Sequence, residues 1–428
     1  MIEKIRVSYR VFLKGFLSLF ITVQCVLGVL YWLCNVTRAQ KFDTVSELGK
    51  LVAGLPVLPV HLIQTGLVFA AAYYLFRRFR ERRQSLICAF AAATVPFVMQ
   101  VCLCETEHAA ALAAALCMTA VIVDCHTRKE QKIGRLQIVL FIVSLVTLVL
   151  CGAAYSCAAA LLCGVCMVIE EKKYHRKKSA RFLCLLAAFF VCIAVGWFGV
   201  HLQNDANPDR MQITWQSVLM KRLAYPGLEG ALSEGVCEEL FETFDTGQIN
   251  NYRIYPYLLD TEFESFLLET VGAERTQEIY LELAWHGLDC GIKVDCRMIL
   301  EDMISYLFPG LMYPFYSDGS ILAEFGFGFQ QFVADTPYLA EIYLYVSLLG
   351  YAVGLVLTIV CLLIGGIQKS AKESVKGSWP FFVIWFGLAV IFTMRGAAIF
   401  NYKYAAFLAV LDYLPLLRHL DRSEDRGI

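Results

Sequence analysis

Between two hydrophobic runs of this chain stands Glu105-Thr106-Glu107-His108, three titratable groups within four residues at a tight corner. Such groups beside hydrocarbon are expensive unless paired, hydrated or bound to an ion. Two carboxylates and an imidazole supply the oxygen and nitrogen donors that a divalent cation such as Mg or Mn takes. Carboxylates at the start of a helix are also stabilised by its dipole, so a capping role fits the same residues. A second acidic pair, Asp43 and Glu47, lies in Lys41-Phe42-Asp43-Thr44-Val45-Ser46-Glu47, where a carboxylate can serve as general base. Late in the chain Arg395 and Lys403 flank Gly-Ala-Ala-Ile-Phe-Asn-Tyr402. Cations there would be matched by those carboxylates or by a phosphate, whose oxygens Arg binds in a bidentate fork. His61 reads as a hydrogen-bonded helix residue, and Asp412 as one that pairs across helices or snorkels outward.

The elements that must position these groups are membrane helices. The chain is 58% hydrophobic and 18% charged, with a mean hydropathy of +0.58, too apolar for an ordinary soluble protein. A membrane helix takes about 20 residues, and apolar runs that could form one fall at 15–36, 55–76, 85–104, 109–124, 136–154, 155–169, 182–201, 338–367, 379–395 and 399–417, the fourth, sixth and ninth of them short. The stretch 136–169 is expected to be a hairpin turning at Gly152 to Ser156. The first span is followed by polar residues, not by the small-residue site of a cleaved leader. The fold class is therefore all-α, a polytopic membrane protein of about ten spans.

Basic residues orient it. Lys4, Arg6, Arg10 and Lys14 precede the first span; Arg77, Arg78, Arg80, Arg82 and Arg83 follow the second. Further clusters stand at 128–135, 172–181, 369–376 and 418–426, each after an even number of crossings. By the positive-inside rule these loops and both termini are cytoplasmic, in a bacterial plasma membrane. Topology accounts for the clusters fully, and no aromatic side chains interleave with them as a single-stranded nucleic-acid surface requires.

The charge balance of the whole chain conceals two opposed regions. Residues 201–340 carry 22 Asp and Glu against 7 Lys and Arg. They form an acidic block placed outside the membrane, giving three parts: an N-terminal membrane domain, 1–200; an extracytoplasmic domain, 201–337; and a C-terminal membrane domain, 338–428, with a cytoplasmic tail. Apolar residues at helical spacing in 215–223, 237–244, 261–271, 276–288 and 295–307 make the block mostly helical. No calcium-binding loop pattern occurs in it. Phe325-Gly-Phe-Gly-Phe329 before the eighth span reads as a loop dipping into headgroups, or as a re-entrant segment. Most of the 17 cysteines sit in apolar runs, where a thiol packs as a small hydrophobe, and Cys163-x-x-Cys166 is among them. Only Cys237, Cys290 and Cys296 lie in the polar block, which allows one disulfide at most.

This organisation resembles the polyprenyl-phosphate-dependent membrane glycosyltransferases of the protein mannosyltransferase kind. The resemblance rests on an acidic first outer loop with Asp43, the basic turn after the second span, and Ala93-Thr-Val-Pro-Phe leading to Glu105-Thr-Glu107 before an Ala-rich span. It continues in a large outer block and an outer loop with Arg395, Tyr402 and Tyr404 ahead of Tyr413-Leu-Pro415. It implies transfer of a sugar from a lipid-linked donor to a glycan, lipid or protein acceptor, with no nucleic-acid partner. Asp43 would be the general base and Glu47 its alternate. Glu105 and Glu107 would hold a divalent metal; Arg395, Lys403, His108 and Tyr402 would bind substrate. The family often pairs its first-loop acid with a second one, and Asp43 has no acidic neighbour. Other readings are a polysaccharide polymerase or ligase using a lipid-diphosphate glycan, a transporter, and an envelope-assembly scaffold.

Overall fold

The structure is a computed structural model that describes residues 2–37, 55–79, 81–104, 106–127, 134–174 and 180–206, with short pieces at 303, 337–339, 342–343, 345–347, 380, 383–392 and 406–411. Among the described residues every regular element is a helix. In order these are α1 (Ile2–Asn35), α2 (Val57–Phe76), α3 (Arg82–Ala93), α4 (Pro96–Cys104), α5 (Thr106–Thr127), α6 (Arg135–Leu150), α7 (Ala153–Tyr174) and α8 (Ala180–Ala206).

Each of the first seven expected spans coincides with a helix or a broken helix. Four are long and apolar enough to cross a membrane: Ser18–Asn35, Val57–Phe76, Thr106–His126 and Ala154–Lys172. The bent pair Arg82–Ala93 and Pro96–Leu103 makes a fifth when counted as one span. The pieces at 337–339, 342–343, 345–347, 383–392 and 406–411 are helical, inside or beside the last three expected spans. The acidic block, apart from its first residues in α8, Met303 and 337–339, lies outside the described residues, as do Cys237, Cys290, Cys296 and Asp412.

The bundle is apolar on its outside as well as inside. On α6, Leu136, Val139, Ile142, Val143, Val146 and Leu150 recur at helical spacing and are all exposed. A stripe of that kind is unstable in water and at home in lipid. The opposite arrangement holds for α5, which is buried along most of its length and packs against α2, α4, α6 and α7. Its alanines (Ala109, Ala111, Ala113, Ala114, Ala115) let neighbouring backbones approach closely, the usual device of helix association in membranes.

Named contacts fix the directions of α1, α2, α5, α6 and α7. Trp32 Nε1 donates to Thr65 Oγ1 over 3.1 Å and His61 bonds the Val36 carbonyl, so α1 and α2 are antiparallel. Gln64 meets Thr106 at one end and Arg78 meets Asp124 at the other, so α2 and α5 are parallel. Gln137 of α6 reaches Asp124, and Tyr155 of α7 reaches His108. The chain therefore runs up and down between two poles. One holds Asn35, His61, Thr106 and Tyr155; the other holds Arg78, Asp124 and Gln137. Gly152, with φ +123°, makes the tight corner between α6 and α7, as the hairpin reading of 136–169 expects.

One expected span differs. Instead of a single helix over 85–104, the chain bends by 73° between α3 and α4. Pro96 has no N–H to give to the preceding turn, which breaks the ladder. Val95 N turns to Ala92 O at 3.4 Å. Ala91 O is met instead by Thr94 Oγ1 and by Gln24 Nε2 of α1, both at 2.9 Å. Backbone freed inside a membrane must find partners within the protein, and here Gln24, buried in the centre of α1, supplies one. Gly28 completes the fit. A Cβ there would stand 2.7 Å from Thr94 Cβ, closer than carbon atoms pack.

Candidate functional site

The pole where α5 begins gathers the described residues that could do chemistry. Thr106, Glu107 and His108 occupy the first turn of α5, so each points about 100° from the last around the helix. Thr106 Oγ1 accepts a hydrogen bond from Gln64 Nε2 at 2.5 Å, tying α5 to α2. Glu107 is only 6% exposed, although it is acidic. Its carboxylate lies within electrostatic reach of the Cys151 thiol, whose sulfur also meets the Ala111 backbone N–H one turn along α5. His108 faces α7 and shares a hydrogen bond with the Tyr155 hydroxyl through Nδ1. The two rings meet edge-on with centroids 5.3 Å apart. Tyr155 in turn stacks on Phe407 at 5.5 Å, and Phe407 leans on Phe392 at 5.3 Å. The imidazole is thus held by an aromatic column that includes residues of the C-terminal region.

Beside this column, α1 and α2 close the pole. His61 is fully buried, with Nδ1 2.9 Å from the carbonyl oxygen of Val36. A carbonyl can only accept, so Nδ1 carries the proton. This is the structural role that His61 was expected to have. Asn35 is fully buried too, its Nδ2 donating to Tyr31 O at 2.8 Å. Asn35-Val36-Thr37 matches the acceptor pattern for N-glycosylation, but the reactive nitrogen is engaged and covered. Tyr31 donates its hydroxyl to Gln100 Oε1 of α4, which joins α1 to the second half of the broken span.

Of the residues singled out from sequence for the site, Glu107 and His108 are described, as neighbours in the first turn of α5 whose side chains point to different helices. Asp43, Glu47, Glu105, Arg395, Tyr402 and Lys403 lie outside the described residues. Among the described residues no group of three or more His, Cys, Asp or Glu is arranged to hold a metal ion.

The opposite pole is basic. Among the described residues all lysines and arginines lie in the first half of α1 or at the ends of α2, α3, α6, α7 and α8 that meet there. Arg78 forms a 2.7 Å ion pair with the buried Asp124 and sits over the Tyr74 ring, 4.3 Å from its centroid. Asp124 also accepts from Gln137 Nε2 at 2.5 Å. Three helices are pinned together by this one carboxylate.

Comparison with known proteins gives no matching family model, no similar curated protein and no similar solved structure. The functional reading therefore rests on the residues themselves.

Sequence reasoning passed over Gln24, Gln64 and Gln100. Each sits inside an expected span, and an amide at membrane depth is a signal in its own right because it must be bonded inside the protein. Tyr155 carried no such signal. Its partner His108 is 47 residues away, and no spacing rule connects them.

Proposed function

We propose that this chain is an integral membrane glycosyltransferase that moves a sugar from a polyprenyl-phosphate-linked donor to an acceptor outside the cytoplasm. The observation that carries the reading is the buried Glu107 next in sequence to the half-buried His108, at the pole opposite the basic one, in a bundle whose flanks are apolar. With the basic pole in the cytoplasm, that pair sits at the outer leaflet, where a lipid phosphate would lie. The chain would cross the bacterial plasma membrane about ten times with both termini inside. Residues 201–337 would stand outside as an acidic helical domain that binds the acceptor or covers the site.

The chemistry requires few parts. Asp43, or Glu47 in its place, takes the proton of an acceptor hydroxyl. The acceptor oxygen bonds to the anomeric carbon as the bond from that carbon to the phosphate oxygen breaks, and polyprenyl phosphate leaves with the electron pair. Arg395 and Lys403 meet the phosphate, whose developing charge is stabilised strongly in a site walled by hydrocarbon. His108 and Tyr402 contact the sugar. Glu107, with Glu105 beside it in sequence, would hold a divalent ion such as Mg or Mn, which would supply charge to the phosphate. The hard oxygens of Glu107 and Thr106 suit such an ion.

A transporter is the second reading, and the 73° break at Thr94 favours it, since transporters bind their substrates at interrupted helices. At this break, however, side chains of the protein itself take up the freed carbonyl of Ala91. A polymerase or ligase differs in consuming a lipid diphosphate, and a scaffold in consuming nothing. Membranes from overproducing cells, given labelled polyprenyl-phosphate hexoses, separate these readings. Glu107→Gln should lower donor consumption about 10–100-fold, the usual effect of disturbing a metal site. Consumption unchanged by both Glu107→Gln and Asp43→Asn would remove the transferase assignment.

A further inference from the structure

A groove runs along the flank of the bundle where α1, α2 and α3 meet. Its volume is about 660 Å³. One wall is α1 from Ile21 to Leu30, and the other is Leu86, Ile87 and Phe90 of α3. Phe69 of α2 closes it, meeting Phe90 edge-on with ring centroids 6.5 Å apart. Val26, Leu30, Leu86, Ile87 and Phe90 stay exposed, so the groove opens sideways, toward lipid.

The lining selects a hydrocarbon guest. Its polar side chains, Thr22 and Cys25, are already engaged. The Thr22 hydroxyl donates to Ser18 O at 2.7 Å, and Cys25 Sγ accepts from Thr94 Oγ1 at 3.5 Å. Laid there, a sugar or a peptide backbone would give up its bonds to water and find none in exchange. From Ile21 to Leu30 α1 advances about 14 Å, close to half of a hydrocarbon core about 30 Å thick. That is the depth of one leaflet, which the acyl chains of a phospholipid fill.

The end of the groove at the basic pole selects the headgroup. Arg82 and Arg83 open α3, and both are exposed. At helical spacing Arg82 shares a face with Leu86 and Phe90, and Arg83 with Ile87. The two arginines therefore stand one turn beyond the wall of the groove, on the side where a lipid phosphate lies. The positive-inside rule asks for basic residues in this loop, but not for their register with an apolar groove. We infer that the groove seats an acyl chain of an anionic phospholipid from the leaflet at the basic pole, with its phosphate held by Arg82 and Arg83. The lipid lies against the half of the third span that precedes the break at Thr94. The inference is independent of the sugar-transfer reading.

Native mass spectrometry of the full chain, released from nanodiscs with equal amounts of phosphatidylglycerol and phosphatidylcholine, tests this. The wild type should retain one phosphatidylglycerol in preference to phosphatidylcholine by about tenfold or more, the scale that two basic residues supply at an anionic surface. Arg82→Gln and Arg83→Gln together should bring the preference close to one, while Arg77, Arg78 and Arg80 keep the loop basic. Arg135→Gln, beside the exposed stripe of α6, should leave the preference unchanged. Ile87→Trp, which fills the groove with both arginines in place, should release both lipids. Thermal unfolding checks that each variant is folded, and if Ile87→Trp is not, the arginine pair decides. A wild type without preference, or an equal preference in the arginine variant, overturns the inference. So does a lipid retained by folded Ile87→Trp, or a loss of the same size in Arg135→Gln, which would make the attraction diffuse. A chain released as a lipid-free dimer would also overturn it, with a second copy covering the groove.

Discussion

The Tyr343 hydroxyl donates to the Thr94 carbonyl over 2.5 Å, joining residues 249 positions apart at the break in the third span. Tyr343 is fully buried, its ring lies 6.1 Å from that of Tyr31, and Ser347 one turn on bonds back to its carbonyl. The C-terminal region is thereby anchored on the same irregular backbone that Gln24 supports from α1. The acidic block runs from α8 to this anchor, so its two ends are held by one bundle.

Removing the anchor should weaken the whole. Tyr343→Phe deletes one buried hydrogen bond and should reduce stability by about 1 kcal/mol. Gly28→Val places atoms where Thr94 already stands and should reduce it by about 1–3 kcal/mol. Thermal unfolding in detergent measures both. A Gly28→Val protein as stable as the wild type would mean that α1 does not touch the break.

Arg78 and Asp124 offer a sharper energetic test. Breaking a buried ion pair leaves a charge uncompensated, so Arg78→Met and Asp124→Leu should each destabilise by about 3 kcal/mol or more. The double variant removes both charges together and should lose less than the sum of the two, by at least about 1 kcal/mol. Denaturant titrations of the four proteins complete the cycle. Simple additivity would show the pair to be incidental.

The proposed sidedness rests on the basic pole and can be tested in cells. Green fluorescent protein fused after the last residue should fluoresce, as should a fusion in the loop between α7 and α8. Alkaline phosphatase inserted between 201 and 337 should be active, since it folds only outside the cytoplasm. Phosphatase activity at the C-terminus would reverse the orientation and move Glu107 and His108 to the inner face.

Most of the bundle could be read from the sequence, because apolar runs of fixed length and alternating basic loops are local properties. The runs at 109–124 and 155–169 looked short. Their helices extend to Thr106–Thr127 and Ala153–Tyr174, since polar residues can end a membrane helix without leaving it. The break at Thr94 was written in Val95-Pro96, yet hydropathy averages over it, and only the arrangement of Gln24, Gly28 and Tyr343 shows how it is tolerated. Of the site, Glu107 and His108 were visible as charges out of place. The residues that hold and flank them (Tyr155, Gln64, Asn35) come from other helices, and their pairing depends on how those helices rotate against α5, which no spacing along the chain records.

The central claim is that a lipid-linked sugar phosphate binds at the pole opposite the basic one. The most direct measurement is native mass spectrometry of the nanodisc-embedded chain with a panel of polyprenyl-phosphate sugars, comparing wild type with Arg395→Ala. The account predicts selective binding of one donor by the wild type and its loss in the variant, because the phosphate would lose its bidentate partner. Equal binding by both proteins, or none across the panel, would contradict it and shift the weight to a transporter or a scaffold.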